Sequence, residues 1–312
     1  MMKENDNSSP IEVFAGNQFE ANMVKNLLEN EGIEAFVLDE FIGTISPWVA
    51  SGGGAGAVKV IVKEEDKDIA TQIVEKYNQD QDDKSENAYE WNYEDIKDNK
   101  LSPDLLSIIK ETISKHSNIS HLGYSITSAI NTIIKCYESE GKVLACGNGG
   151  SSADAEHLAG ELMKGFEKQR PLSQDLKTKL YNISGNDTLG NKLNKGLPAI
   201  SLNTHTSLMT AIVNDIGGDY IFAQQVIGYG KPGDVLILFS TSGNSKNIVN
   251  AAMAAKAMDI NVICITGKTG GAVKEVCDIL INIDETNTAN IQEATIIIYH
   301  LICRVVENYF FS

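Results

Sequence analysis

Four groups of residues in this chain have types and spacings suited to chemistry. The first is Cys146-Gly147-Asn148-Gly149-Gly150-Ser151-Ser152-Ala153-Asp154, which follows an apolar run and opens a helical stretch. Glycines let the backbone approach a ligand closely, and a helix N-terminus offers unpaired N–H groups and the positive end of a dipole, which suit an anion. The spacing is neither G-x-G-x-x-G nor a Walker A loop, so no nucleotide is implied. A plain strand-to-helix turn has the same composition. The second group is Ser240-Thr241-Ser242-Gly243-Asn244-Ser245, again between an apolar run and a helical stretch. Its four hydroxyls could cradle phosphate oxygens, whereas helix capping accounts for one of them. The third is His157 and Glu161, four apart and therefore on one helix face; taken alone, this is also the spacing of a surface pair. The fourth is Gln292 and His300 on the last helical stretch, about two turns apart with an offset of roughly 80°. A histidine there also reads as a satisfied core residue.

Positioning these groups requires an alternation of strands and helices. Apolar runs at Lys142–Cys146, Ala199–Leu202, Val235–Phe239 and Val262–Thr266 predict strands, each followed by a helical stretch, and Ile279–Ile283 predicts a fifth. Helical spacing covers Leu105–Ile113, Ile126–Tyr137 and about Ala289–Phe310. Such an order predicts an α/β fold with a doubly wound parallel sheet covered on both faces, and in such sheets ligands bind at the carboxyl ends of strands. This larger domain is expected over 101–312. A smaller α+β domain is expected over 10–78, with strands at Ile11–Ala15, Ile33–Leu38 and Val58–Val62. Its helices are expected over Phe19–Glu31, apolar at Met23, Val24, Leu27 and Leu28, and over Asp66–Tyr77, apolar at Ile69, Ile73 and Val74. Gly32 stands where a helix-ending glycine is expected, and Ser51–Gly56 reads as a glycine-rich turn. Between the domains, 79–100 reads as a solvated acidic linker, although Tyr89, Trp91 and Tyr93 could dock on a surface.

The chain has 312 residues and a net charge of −16, which argues against nucleic-acid and anionic-membrane partners because both need clustered Lys and Arg. A phosphorylated small molecule is not excluded, since backbone N–H groups and hydroxyls can bind it. The five cysteines form no C-x-x-C pair and several lie in apolar runs, as expected of free thiols in a reducing compartment. The polar stretch Met1–Pro10 does not resemble a signal peptide, and no apolar run approaches the roughly 20 residues of a membrane span. A cytoplasmic protein is the expectation.

In combination the motifs say more. The order G-N-G-G-S, H-x-x-x-E, N-D, S-T-S-G-N-S, then Gln with His eight residues later, resembles the phosphoheptose isomerases of the sugar isomerase (SIS) domain superfamily over about Leu105 to Asn308. The resemblance implies a flavodoxin-like SIS sheet and a homotetramer whose active sites are shared between subunits. It implies isomerisation of sedoheptulose 7-phosphate to D-glycero-D-manno-heptose 7-phosphate, and one zinc ion per subunit. The implied substrate contacts are Asn148, Gly149, Gly150, Ser151, Glu161, Asn214, Asp215, Ser240, Thr241, Ser242, Ser245 and Gln292. The implied zinc ligands are His157, Glu161, Gln292 and His300, and the implied acid–base pair is Glu161 and His300. A carboxylate and an imidazole suit proton transfer through an enediol near neutral pH, and zinc suits polarising a carbonyl. A metal-bound carboxylate is a poorer base, so the two roles of Glu161 compete.

The chain departs from that pattern in three places. A polar stretch between Phe166 and Pro198 is longer than the family's and could lid the site or alter subunit packing. Gly165 replaces a basic residue, for which Lys164 or Arg170 could substitute. Ala289 replaces an acidic residue three before the glutamine. These departures leave open an isomerase of another sugar phosphate. A non-catalytic SIS-type module that senses a phosphosugar or binds a protein is the alternative of another class; it would need the hydroxyl cradle but not the set His157, Glu161, Gln292 and His300. The N-terminal domain resembles a small bacterial family of signal-transducing-like proteins with a ferredoxin-like or PII-like fold, which implies either a regulatory unit or a passive accessory.

Overall fold

The computed structural model describes residues 10–16, 31–38, 58–86 and 99–311, together with 21, 24, 25 and 27–29; for 79–86 it describes the backbone alone. The chain divides into two compact units, Met1–Ala88 and Tyr89–Ser312.

In the first unit, strands β1 (Ile11–Gly16), β2 (Ala35–Leu38) and β3 (Val58–Val62) form an antiparallel sheet in the order β1-β3-β2. Val58, Val60 and Val62 alternate with Lys59 and Ile61, and only the valine face is buried, as a period of two requires. Residues 21, 24, 25 and 27–29 are helical, and Ala21, Val24 and Leu28 join the valines in one core. Gly32 adopts φ +83° while the Ile33 N–H reaches back to the Leu28 carbonyl at 2.9 Å, which closes the helix in a Schellman-type turn. Helix α1 (Lys67–Glu86) corrects one expectation. It packs through Ala70, Ile73, Val74 and Tyr77, an i, i+3, i+4, i+7 stripe that leaves Ile69 58% exposed. It also extends to Glu86, into the acidic stretch expected to be linker. Met23, the turn at Ser51–Gly56, and Tyr89, Trp91 and Tyr93 lie outside the described residues.

The second unit is built on five parallel strands: β4 (Val143–Gly147), β5 (Ala199–Ser201), β6 (Val235–Ser240), β7 (Asn261–Thr266) and β8 (Ile279–Asn282). Their order is β5-β4-β6-β7-β8, the flavodoxin-like arrangement. Every residue of β4 and β6 is buried, because helices cover both faces of the sheet. Alternate side chains feed two separate cores. Val143, Ala145, Val235, Ile237, Phe239, Ile263 and Ile265 enter one; Leu144, Cys146, Leu236, Leu238, Val262 and Cys264 enter the other.

Helices α2 (Pro103–Ser114), α3 (Gly123–Glu138) and α4 (Gly150–Met163) build the first face. Between α4 and β5, the long polar stretch forms helices α5 (Gln174–Ser184) and α6 (Thr188–Lys192), with a bridge between Pro171 and Asn194 closing its base. Helices α7 (Thr206–Asp215) and α8 (Ile221–Tyr229) follow β5, and α9 (Lys246–Ala257) follows β6. Strand β7 departs from the expected alternation: only a 3₁₀ turn, Ala272–Glu275, lies between it and β8.

The last helix, α10 (Thr288–Phe311), is long and apolar enough to cross a membrane by length and composition, but 56% of that apolar window is buried inside the fold. Ile291, Ala294, Ile298, Leu301, Ile302 and Val305 pack into the first core. All five cysteines are free thiols; burial pushes the Cys136 thiol up to about 12.

Candidate active site

The strand order reverses between β4 and β6, and there the loops after both strands open side by side at their carboxyl ends. Gly147, the last residue of β4, pairs with Phe239, which brings the 147–150 turn beside the 240–245 turn. Asn148 and Asn247 exchange side-chain hydrogen bonds, both 2.9 Å, across the gap. The first turn is held from the other side by Asn203, whose amide donates to the Gly147 carbonyl at 2.8 Å and accepts from its N–H at 3.1 Å. Gly149 has φ +56°, and a Cβ on Gly147 would lie 2.3 Å from the Ser151 carbonyl oxygen. The turn therefore requires glycine for its shape.

In the second turn, Ser240 Oγ accepts from the Gly243 N–H and Ser242 Oγ from the Asn244 N–H, each at 3.2 Å. Both hydroxyls keep their protons for a ligand. Ser245 stands at the N-cap of α9 yet makes no capping bond, so capping does not consume the hydroxyl that could have been spent on it. Gly243 has φ +65°, and a Cβ there would lie 2.1 Å from the Gly270 carbonyl oxygen. Gly243→Ala is accordingly expected to distort this turn and raise the KM for a phosphosugar by about tenfold or more, since 1.4 kcal/mol of strain already gives that factor. Initial rates over a range of substrate concentrations, with circular dichroism to confirm the fold, check this.

Gln292 reaches the first turn from α10: a Cβ on Gly150 would sit 2.3 Å from Gln292 Nε2, so this glycine makes room for the amide. About two and three turns further along α4, and about two along α10, lie the titratable groups. His157 Nε2 is 3.2 Å from Glu161 Oε1, and His157 Nδ1 is 2.8 Å from the Tyr299 hydroxyl. The rings of His157 and His300 meet edge to face at 4.9 Å, and Phe166 stacks on the other side of His300 at 5.4 Å.

Two atoms here are buried without a hydrogen-bond partner, Glu161 Oε2 and His300 Nε2. A buried polar group left unpaired is costly and calls for a functional explanation. The arrangement departs from the bland readings at two atoms: the Glu161 side chain is only 13% exposed beside a His157 that is 48% exposed, and His300 Nε2 is buried with no hydrogen-bond partner. Burial, then the facing His157, hold the His300 pKa below its ordinary value, so the ring is neutral at neutral pH. Burial pushes the Asp154 carboxyl up to about 6 on the same helix.

The donors named by the resemblance fit a zinc ion chemically. Two imidazoles and a carboxylate are ordinary ligands, and the unpartnered Oε2 and Nε2 are atoms a cation would satisfy. Among the described residues, however, no three His, Cys, Asp or Glu side chains are gathered into a metal-holding group. Both nitrogens of His157 face hydrogen-bond partners instead.

The remaining sequence candidates divide. Ser151 is buried at the start of α4, and Thr241 lies in the second turn. Asn214 and Asp215 lie exposed at the end of α7, where the Asn214 amide donates to Asp215 at 2.7 Å. Of the two proposed replacements for the missing basic residue, Arg170 is corrected. It is fully buried, with Nε donating to Glu307 at 2.8 Å and its other nitrogens to the backbone carbonyls of Leu162 and Glu161. Lys164 stays exposed at the site, with Nζ donating to the Gly165 carbonyl and lying 3.6 Å from Glu161 Oε2. Sequence reasoning missed Asn203, Asn247, Phe166 and Tyr299. Only the register of β4 against its neighbours, or the packing of α10 on α4, marks them.

Comparison with known proteins agrees with this arrangement. The SIS domain family model matches residues 110–188 and 185–267, and residues 11–78 match the family described as "Putative prokaryotic signal transducing protein". A phosphoheptose isomerase of Rhodospirillum rubrum is 40% identical over 184 residues, 59% of this chain and 85% of the relative. Phosphoheptose isomerase 2 of Campylobacter jejuni is 41% identical over 205 residues, 66% of this chain and 89% of the relative. The solved structure of a phosphoheptose isomerase from Francisella tularensis superposes with a TM-score of 0.53 at 31% identity, covering 66% of this chain and 97% of that one. With its two turns at the switch point and its carboxylate and imidazoles beside them, the chain belongs to the phosphoheptose isomerase family of SIS-domain proteins.

Proposed function

We propose that this chain converts sedoheptulose 7-phosphate to D-glycero-D-manno-heptose 7-phosphate in the cytoplasm, with Glu161 as base and His300 as acid. The observation that carries the reading is the pair of buried atoms without hydrogen-bond partners, Glu161 Oε2 and His300 Nε2, beside the hydroxyl-lined turn 240–245. The phosphate would rest on Ser240, Thr241, Ser242 and Ser245, and the sugar on Asn148, Gly149, Gly150, Ser151, Asn214, Asp215 and Gln292. Glu161 takes a proton from C1 while the C2 carbonyl oxygen gains one from His300, giving an enediol. The proton then returns to C2 as the C1 hydroxyl gives up its own and becomes the aldehyde. A neutral imidazole can serve the oxygen atoms, giving its N–H proton to the C2 oxygen and regaining one from the C1 hydroxyl as the aldehyde forms, the negative charge passing from Glu161 to the ring in between. His157, Glu161, Gln292 and His300 would hold zinc. When bound, the ion would supply Lewis-acid polarisation of the carbonyl.

A non-catalytic phosphosugar sensor would have no use for unpaired buried acid–base groups, which favours the enzyme. Gly165, Ala289 and helices α5 and α6 keep a different sugar phosphate as the second reading. The first unit we read as regulatory, on its likeness to the signal-transducing family, and the assembly as a homotetramer. Incubation of the full chain with sedoheptulose 7-phosphate, followed by NMR of the sugar, is expected to show aldose signals. Turnover is expected to fall after chelator treatment and return with zinc. Product unaffected by chelation removes the metal. Binding of the sugar without product, or product only from another ketose phosphate, replaces the main reading by one of the other two.

A further inference from the structure

Helices α5 and α6 fold without a core of their own. No residue of α5 is buried, and α6 buries only Gly190, which lies against Lys177 of α5. Local signals define α5 well. The Ser173 hydroxyl caps it by accepting from the Leu176 N–H, Lys179 pairs with Asp175 one turn away, and Gly185 ends it at φ +73°. Yet its 11 residues fall short of the roughly 12–15 at which an isolated helix is even marginal in water. Its apolar residues also form a stripe. Leu176, Leu180 and Ile183 stand at i, i+4 and i+7, the spacing of a face that packs against something. Among the described residues none covers that face: Leu176 is exposed, Leu180 half-buried and Ile183 85% exposed. Helix α6 flanks the opposite side of α5, where Lys177 and Tyr181 share a groove with Gly190 and Asn191.

Charge selects the partner for this arm. Residues 172–195 carry four lysines against two aspartates, a net +2, in a chain of −16, so the remainder carries −18. That remainder repels polyanions such as nucleic acid or anionic lipid, whereas the acidic body of a second copy meets a basic arm with the opposite sign. The arm has a firm base: Pro171 and Asn194 form a bridge, and the Lys195 N–H donates to the Arg170 carbonyl at 2.7 Å. Helix α5 alone is about 16 Å long, enough to reach across a subunit boundary. We propose that the α5–α6 arm is an interaction surface for a second copy of this chain, laying its Leu176, Leu180 and Ile183 face on the partner's acidic body. In a two-fold arrangement each copy gives its arm to the other, so the contact is made twice. The arm lies in the stretch that departs from the family pattern, so the resemblance assigns it no such part. The inference rests on reading the chain as an assembly of copies, and adds which segment holds them together.

The test removes the arm from the full chain. Because Pro171 and Asn194 already face each other, replacing residues 172–193 by Asn-Gly closes the bridge as a two-residue hairpin. Gly190 is the only buried residue lost with them, so the fold is expected to survive, which circular dichroism checks. Light scattering after size exclusion, across a dilution series, is expected to show a wild-type assembly, a tetramer on the reading above. The shortened chain is expected to appear as a smaller particle, its association weakened by about 10³-fold or more. Ile183→Asp, which rebuilds no loop, is expected to weaken association by about 10- to 100-fold, because it removes the most exposed apolar side chain of the arm. If the shortened chain misfolds, Ile183→Asp alone decides. A wild-type assembly with unchanged dilution behaviour in either folded variant overturns the proposal and leaves the assembly reading standing on other surfaces. A wild type that is monomeric at every concentration overturns both.

Discussion

Glu161→Gln is expected to lower kcat by about 10²- to 10⁴-fold, the contribution of a positioned general base, with little change in KM. The substitution keeps the shape of a 13%-exposed side chain and removes its ability to take a proton. The phosphate turn at 240–245 is untouched, so sugar binding should persist, as saturation-transfer NMR would show. Run in D₂O, the wild type is expected to place deuterium on the sugar carbon, because a proton lifted by a half-enclosed carboxylate exchanges with solvent before returning. The variant is expected to place none. Stability is expected to be equal or higher, because the variant removes a charge whose Oε2 has no hydrogen-bond partner. A variant that still turns over and still exchanges deuterium would transfer the base role to another group, for which the buried Asp154 on the same helix is a candidate.

The second large effect is expected from Glu307→Gln. Glu307 and Arg170 are both 0% exposed and paired at 2.8 Å, and the same carboxylate accepts from the backbone N–H groups of Phe166, Glu167 and Lys168. Arg170 in turn donates to the carbonyls of Leu162 and Glu161, acceptors left over at the end of α4. Removing the charge strands a buried guanidinium, a loss of about 3–5 kcal/mol. Glu167→Gln supplies the contrast: Arg304 and Glu167 lie only 2.6 Å apart, but 36% and 40% exposed, so about 0–1 kcal/mol is expected. Urea unfolding of the three proteins by near-ultraviolet circular dichroism compares them directly.

The pH dependence follows from the same carboxylate. Burial raises the Glu307 pKa, but the Phe166 and Glu167 N–H groups and Arg170 outweigh it and hold it below the ordinary value. A depressed folded-state pKa contributes stability that is fully present above the unfolded value, about 4.3, and is lost as pH falls through the folded value. The gap between wild type and Glu307→Gln should therefore be constant near neutral pH and shrink below about pH 5. Because the clamp also places Phe166 against His300 and holds the backbone of Glu161, kcat is expected to fall together with stability.

Much of this architecture was legible in local sequence. The strands announced themselves as short, fully apolar runs, because a parallel sheet covered on both faces buries every side chain. The two turns announced themselves because a Cβ at Gly147 or Gly243 would lie within 2.3 Å of a neighbouring carbonyl oxygen, and glycine is the residue that has none. His157 and Glu161 could be paired by helical spacing alone. Where local patterns misled, a tertiary contact had overridden them. Ile69 stays exposed while Ala70 joins the valines of β3 in the core, and β7 is followed by a 3₁₀ turn where a full helix was expected.

Local sequence alone determined the layers, the glycine turns and the types of the reacting groups, since these depend on periodicity and backbone sterics within a few residues. Only the tertiary structure decided which groups meet. The switch point that sets Asn148 against Asn247 depends on strand order, which no single strand encodes. The contacts of Tyr299 with His157 and of Arg170 with Glu307 join residues 142 and 137 positions apart. Whether Oε2 of Glu161 is paired or free depends on every neighbour that packs around it, and that is a property of the folded core, not of any residue's place in the chain.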